Sequence, residues 1–482
     1  MRANRGTAYP LATTVSLVRR ALLLCLLSGL LVTALVPVGL AASGGLEVLH
    51  PPRVQLGDAP LTPYPGSELD RITIMWQTRG AGAGDTFDVA YRRAGGDAWR
   101  AVGGVASTPL EIDARVIYAA DIEALDWGTR YEYRVRQLRG GEEVEVWINA
   151  FETRLRPGDS RPFAFAAYGD SAWVGDTAPF EAVQSIVEAS PAVFTLLLGD
   201  NAYEVGSFEE YDARFDPDRS PQSAALVTGH VEHAAFGNHD IATDGGRPAG
   251  DLFAAPVPVL EVDAPAAPPA TEPPEHNYSF DYGMAHFVTF DSNSFTDPSR
   301  LSALLDWVVG DLTASDARWK VVFAHHPLGA APDKVAELAA NPHFPSAVVD
   351  ALSRGGADLL LVGHSHTVSW THPISGVTGD PASAGIAFVV DDDGRYRQGD
   401  GFVQVVSGAG GKSLRPGAYN DDYLAVGFTL DTVPPLEYGF VLVRVGAVAL
   451  TVEYIAADDG GVLGRFSIVI PTPAFGAGRF AR

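Results

Sequence analysis

The chain has 482 residues, 46% of them hydrophobic, which allows two or more globular domains with filled cores and excludes a disordered polyelectrolyte. A formal net charge of −25 excludes general binding to nucleic acid or to an anionic membrane, and leaves any phosphate substrate dependent on positive charge supplied by its own site. The only cysteine, Cys25, lies in the N-terminal segment, so the body of the chain has no disulfide, no thiolate metal site and no cysteine nucleophile.

Arg2, Arg5, Arg19 and Arg20 precede an apolar run at 21–40, and small residues follow at 41–43. This pattern predicts an export signal over residues 1–43 and a secreted protein, extracellular or periplasmic. The run is long for a signal, so an uncleaved anchor is the alternative, and no stable membrane partner is expected unless it is retained. "VRRALLL" faintly resembles a twin-arginine signal, but a plain Sec signal is the preferred reading. Cleavage removes Cys25 and four arginines, which takes the net charge to −29.

Residues 44–157 read as all-β. "RITIMWQT", "TFDVAYRR", "RYEYRVRQL" and "VWINAFETR" are short β-rich segments separated by Gly- and Asp-containing turns. The stretch "RPGDSRP", 156–162, reads as a linker. From 162 to 470 strands alternate with helices, which implies a layered α/β domain with buried strands. Strands are expected at "PFAFAAY", "AVFTLLL", "HFVTF", "KVVFA", "DLLLV" and "FVQVVS", and helices at 178–190, 298–314 and 345–355. Seven prolines in 256–274 predict a long surface loop. From about 437 the chain returns to β, and 471–482 reads as a tail.

Chemistry-bearing residues follow the apolar strands of this second region. "FAAY" ends in Gly169-Asp170-Ser171, "TLLL" in Gly199-Asp200-Asn201-Ala202-Tyr203, and "HAAF" in Gly237-Asn238-His239-Asp240. "VVFA" ends in His325-His326-Pro327, and "LLLV" in Gly363-His364-Ser365-His366. A Gly-Asp turn or a lone histidine is ordinary by itself. Five such strand ends in one domain converge on the crevice where α/β sheets build their sites. With cysteine excluded, a metal site must use His, Asp, Glu, Asn or Tyr.

This ordered set resembles the metallophosphoesterase superfamily, and specifically the purple acid phosphatases. The resemblance covers 162–470 and includes the stretch "HNYSFDYGMAHFVTFDS", 276–292. The region 44–157 is similar to the fibronectin type III-like domain that precedes the catalytic domain in the larger members. There "LDWGTRYEYRV" resembles a tyrosine corner, with Trp127 where proline is usual. The implied fold is a layered β-sandwich flanked by helices behind an all-β sandwich. Most metallophosphoesterases have Asp-x-His in the first motif, whereas position 172 here is alanine. The purple acid phosphatases also lack that histidine and use the tyrosine of Gly-Asp-x-x-Tyr, the place of Tyr203.

The resemblance implies two metal ions. One would take Asp170, Tyr203, His366 and a bridging oxygen of Asp200, and the other Asp200, Asn238, His325 and His364. A phenol with an ordinary pKa near 10 ligates as phenolate only to a strongly Lewis-acidic ion, which favours Fe(III). The second site suits divalent Zn, Fe or Mn. The implied reaction is hydrolysis of a small phosphate monoester by metal-bound hydroxide, with Asp200 and His239 in the catalytic set. Asn238, His239 and His326 would face the substrate. Alternatives are a phosphodiesterase or nucleotide hydrolase on the same centre, or a non-catalytic cell-surface protein. Plant members carry further substrate histidines beyond the His325 motif, and none stands at 334–336 here. "GAGGKS", 408–413, fails as a P-loop because position 406 is valine, and reads instead as a glycine loop near the site. "DDDG", 391–394, reads as a hairpin turn rather than a calcium site.

Overall fold

The computed structural model describes residues 46–57, 69–80, 84–255, 274–329, 342–378, 385–391, 393–415 and 424–471. The expected export signal, nearly all of the proline-rich stretch, positions 334–336 and all but the first residue of the tail lie outside them. Among the described residues no helix is long and apolar enough to cross a membrane.

The N-terminal region forms two four-stranded antiparallel sheets. One has the order Glu47–Gln55, Asp70–Arg79, Arg115–Leu125, Ala106–Pro109, and the other Arg100–Ala101, Asp85–Arg93, Arg130–Arg139, Glu142–Glu152. Period-two alternation sets the inner faces. Tyr131, Tyr133 and Val135 point inward against Ile74, Trp76 and Ile122, while the intervening Glu132, Arg134 and Arg136 are only partly buried. The Tyr131 hydroxyl accepts from the Asp126 backbone N–H (3.0 Å), the contact of a tyrosine corner.

The following segment is no free tether. Gly158 donates to the Gly283 carbonyl (2.7 Å), and Arg154 reaches back to Asp70 (2.7 Å). The strand Glu47–Gln55 docks further along, with Val54 N–H on Val227 O and Gly57 N–H on Ala254 O, both 3.0 Å.

Two seven-stranded sheets then face one another. The first runs Val231–Ala235, Ala192–Leu198, Phe163–Tyr168, Gly439–Val445, Ala449–Ala456, Val462–Val469, Arg395–Arg397. The second runs Tyr278–Tyr282, Ala285–Thr289, Trp319–Phe323, Leu359–Val362, Val403–Ser407, Val368–Thr371, Leu424–Gly427. Inner strands such as Phe163–Tyr168 and Leu359–Val362 are apolar throughout because both faces are covered, whereas the edge strand Arg395–Arg397 buries only Tyr396. In Phe163–Tyr168 the residues Phe163, Phe165 and Ala167 fill the space between the sheets, while Ala164, Ala166 and Tyr168 meet the helices. Trp319, Val321 and Phe323 alternate with Val322 in the same way on the second sheet.

The three expected helices form at Ala178–Ala189, Pro298–Ala314 and Phe344–Gly355. Asp297 caps the second by accepting from Ser299 and Arg300. Gly356, at φ 71°, ends the third in the left-handed conformation that favours glycine.

The "DDDG" stretch does not close a hairpin. The strand before it, Gly385–Phe388, pairs with Ile374–Thr378, while Arg395–Arg397 pairs with Val462–Val469 in the first sheet. Burial of Tyr396 against Phe466, with ring centroids 5.4 Å apart, draws the second strand away from the first.

Candidate metal centre

Three parallel strands of the first sheet and two of the second end on the same side of the sandwich. The turns that follow them carry the candidate ligands. Asp170, Asp200 and His364 have φ of 58°, 52° and 68°, a left-handed conformation that non-glycine residues seldom adopt. Such backbone persists only where the surroundings over-determine it, and here it aims three side chains into one space.

Neighbouring glycines let the strand ends approach. A Cβ on Gly237 would stand 2.2 Å from Asp200 Oδ1. One on Gly408 would stand 2.0 Å from the Ser365 carbonyl oxygen and 2.7 Å from Asp170 Oδ2. The glycine loop 408–411 is therefore a packing device around Asp170. Gly410 N–H and Lys412 N–H donate to the carbonyls of Gly169 and Asp170, at 3.1 and 2.8 Å.

The seven expected ligands fall into two clusters. The Tyr203 hydroxyl lies 2.9 Å from Asp170 Oδ1, 3.0 Å from Asp200 Oδ2 and 3.3 Å from His366 Nε2. His325 Nε2 lies 3.1 Å from His364 Nδ1, 3.2 Å from Asn238 Oδ1 and 3.3 Å from Asp200 Oδ1. Asp200 thus places one oxygen in each cluster. His325 Nδ1–H donates to the Leu198 carbonyl and His366 Nδ1–H to the Ser413 carbonyl, both at 2.8 Å, which leaves each Nε2 as a lone-pair donor facing the centre.

The donor set fits cations. Ligands at the usual 2.0–2.2 Å from one ion lie about 3 Å apart along the edge of an octahedron, the spacing seen in both clusters. Without a cation the groups compensate one another with protons. Burial opposes a charged His325, but Asp200 outweighs it and holds the imidazole up to about 9. Burial likewise opposes ionisation of Asp200, yet His325 and His239 hold its carboxyl well below the ordinary range. Burial, reinforced by Asp170 and Asp200, pushes the Tyr203 phenol well above 10. A cation strong enough to displace that proton is required for phenolate ligation.

Residues outside the ligand set hold it in place. Asp240 accepts from Gly237 N–H (2.8 Å), Asn201 N–H (2.9 Å) and the Tyr211 hydroxyl (2.7 Å), which ties the Asp200 loop to the Asn238 loop. Ser292 Oγ accepts the backbone N–H groups of His325 and His326, at 3.2 and 3.0 Å, and donates to His326 Nδ1 (2.9 Å). Both lie inside stretches quoted above, but nothing in their local sequence marks them as braces.

His239 stands at the mouth, with 30% of its side chain exposed. Its Nδ1–H donates to the Glu204 carbonyl (2.5 Å), so Nε2 faces the centre, 3.8 Å from Asp200 Oδ2. His326 is buried instead, its ring 4.5 Å from that of His364 and 4.9 Å from Phe295. Lys412, absent from the expected set, closes one side of the mouth. Its ammonium pairs with Glu204 and lies 4.1 Å from the Trp173 ring and 4.8 Å from the Tyr203 ring.

Residues 165–368, which span every strand end named above, match the calcineurin-like phosphoesterase family. The chain carries a calcineurin-like phosphoesterase domain. An acid phosphatase of Aspergillus ficuum is 24% identical over 245 residues, a stretch that is 41% of this chain and 38% of that protein. A purple acid phosphatase from yellow lupin (Lupinus luteus) seeds is similar in fold to this chain, with a TM-score of 0.67 at 18% identity, over 87% of this chain and 74% of that one.

Proposed function

We propose that the phosphoesterase domain hydrolyses small phosphate monoesters at a two-metal centre. Asp170, Tyr203, His366 and Asp200 would hold an Fe(III) ion, and Asp200, Asn238, His325 and His364 a divalent ion. The observation that carries this reading is the pair of donor clusters sharing Asp200, each with donor spacings of about 3 Å. Bound ions supply Lewis-acid polarisation of the phosphoryl oxygens and a water of lowered pKa.

The chain's own groups do the rest. The Leu198 and Ser413 carbonyls keep the two imidazoles in the ligating tautomer. Asn238 offers a neutral amide beside the substrate. His239, held by the Glu204 carbonyl, presents Nε2 to the leaving group, and its protonated form donates to the departing oxygen. His326 offers an Nε2–H from beneath the second cluster, since Ser292 donates to its Nδ1. The basic and apolar pattern before residue 43 supports export, which delivers the enzyme outside the cytoplasm. The test is metal analysis of the purified protein together with hydrolysis of a generic aryl phosphate and its diester. Two ions per chain with faster monoester turnover supports the reading, and faster diester turnover replaces it with a phosphodiesterase.

A further inference from the structure

The helix Phe208–Phe215 follows Tyr203 by five residues and touches three of the ligand loops. Its capping box has Ser207 Oγ accepting from Glu210 N–H. The Glu210 carboxylate in turn accepts the backbone N–H groups of Glu204, Val205 (2.9 Å) and Ser207 (3.0 Å), so it braces the segment just after Tyr203. Tyr211 donates to Asp240, which ties the Asp200 and Asn238 loops. Arg214 donates to Ser171 Oγ (3.0 Å) and to the Asn201 carbonyl (3.4 Å), the residues after Asp170 and Asp200. It is anchored by Glu232 at 2.6 Å, with neither side chain exposed.

The same helix is gripped from the N-terminal β region. Asp212 accepts a two-pronged contact from Arg115 (2.8 and 2.5 Å) and a third bond from His50 Nε2 (2.8 Å). Arg115 and His50 are buried, and Asp212 is 9% exposed. Arg53 lies 4.0 Å over the Phe215 ring, and the His50 ring is 5.3 Å from it. A planar guanidinium on a buried carboxylate fixes orientation as well as distance.

We propose that the N-terminal β region positions the metal centre through this helix, with Asp212 as the positioning residue that Arg115 and His50 hold. The proposal rests on the metal-centre reading above. It makes the N-terminal region part of the apparatus that sets metal affinity, although it contributes no ligand.

The experiment uses the full chain, stripped of metal and titrated with zinc alone against a chromophoric chelator. Thermal unfolding of the metal-free protein is measured in parallel. Tyr133→Phe serves as the control, because its hydroxyl crosses between the same two regions, to the Pro52 and Thr228 carbonyls, without reaching this helix. Asp212→Asn is expected to weaken zinc binding about 10-fold, the low end for residues that orient metal ligands. Tyr133→Phe is expected to stay within about twofold of wild type at a similar loss of metal-free stability. Should Asp212→Asn fail to fold, Arg115→Gln is read in its place, with the same expectation. Wild-type zinc affinity in the helix variants, or weakening that merely tracks lost stability in all of them, overturns the proposal alone. A wild type that binds no zinc overturns the metal-centre reading and the proposal together.

Discussion

Tyr203 and His239 have rings 4.5 Å apart, yet their expected roles separate cleanly in measurement. If Tyr203 ligates Fe(III) as a phenolate, the oxidised iron-loaded protein is violet or pink, and Tyr203→Phe abolishes the visible band while the far-ultraviolet circular dichroism is kept. An iron-loaded wild type without a band, or a Phe variant that retains it, counts against phenolate ligation. His239→Ala is expected to lower turnover by roughly 10²–10⁴-fold with metal content unchanged. Steady-state kinetics beside metal analysis checks this, and wild-type turnover in a fully loaded variant removes His239 from the chemistry. The seven candidate residues that the structure brings together were legible because each follows an apolar strand in a short turn. Asp240, Ser292 and Lys412 were not, since partners such as Asn201 and Tyr211 for Asp240, His325 for Ser292 and Glu204 for Lys412 lie elsewhere in the chain, and a carboxylate braced in that way looks like any Asp in sequence.

Among the elements, the helix Pro298–Ala314 depends on a buried charge. His286, on the strand Ala285–Thr289, bonds Asp281 and Asp311 at 2.8 Å each, and Asp311 belongs to the helix. Burial opposes protonation, but the two carboxylates outweigh it and raise His286 to about 9. A raised pKa contributes stability that is fully present below the unfolded value near 6.5 and is lost as pH rises through about 9. His286→Gln should therefore cost about 3–5 kcal/mol at pH 6, the usual loss when one partner of a buried pair is removed. The difference from wild type should narrow above pH 9, as followed by denaturant unfolding across that range. A gap independent of pH would show that packing, not charge, holds the helix. The periodic helices and apolar strands were readable from the sequence. The helix Phe208–Phe215 was missed although "SFEE" is a capping-box signal, because eight residues give too little periodicity to stand out. The "DDDG" turn was misread because local turn chemistry says nothing of which sheet the next strand joins.

At the scale of the molecule, stripping the metals should abolish hydrolysis and lower the melting temperature, because ions that bind only the folded state stabilise it, by about 4 kcal/mol at a thousandfold excess over Kd. Calorimetry with and without chelator checks this, and an unchanged melting temperature would mean that the clusters bind no ion tightly. The sheet order carries a second consequence. Phe163–Tyr168, which delivers Asp170, pairs on one side with Ala192–Leu198 and on the other with Gly439–Val445, where Ala167 faces Val441. Residues 408–412 wrap Asp170 from the same late stretch of chain. A growing polypeptide therefore exposes every ligand before it owns the strand that locks the first of them. During synthesis the pocket stays unfinished until that strand has left the ribosome, so a chain cut anywhere between His366 and Gly439 carries all seven candidate ligand side chains but lacks the strand that lines up beside Phe163–Tyr168.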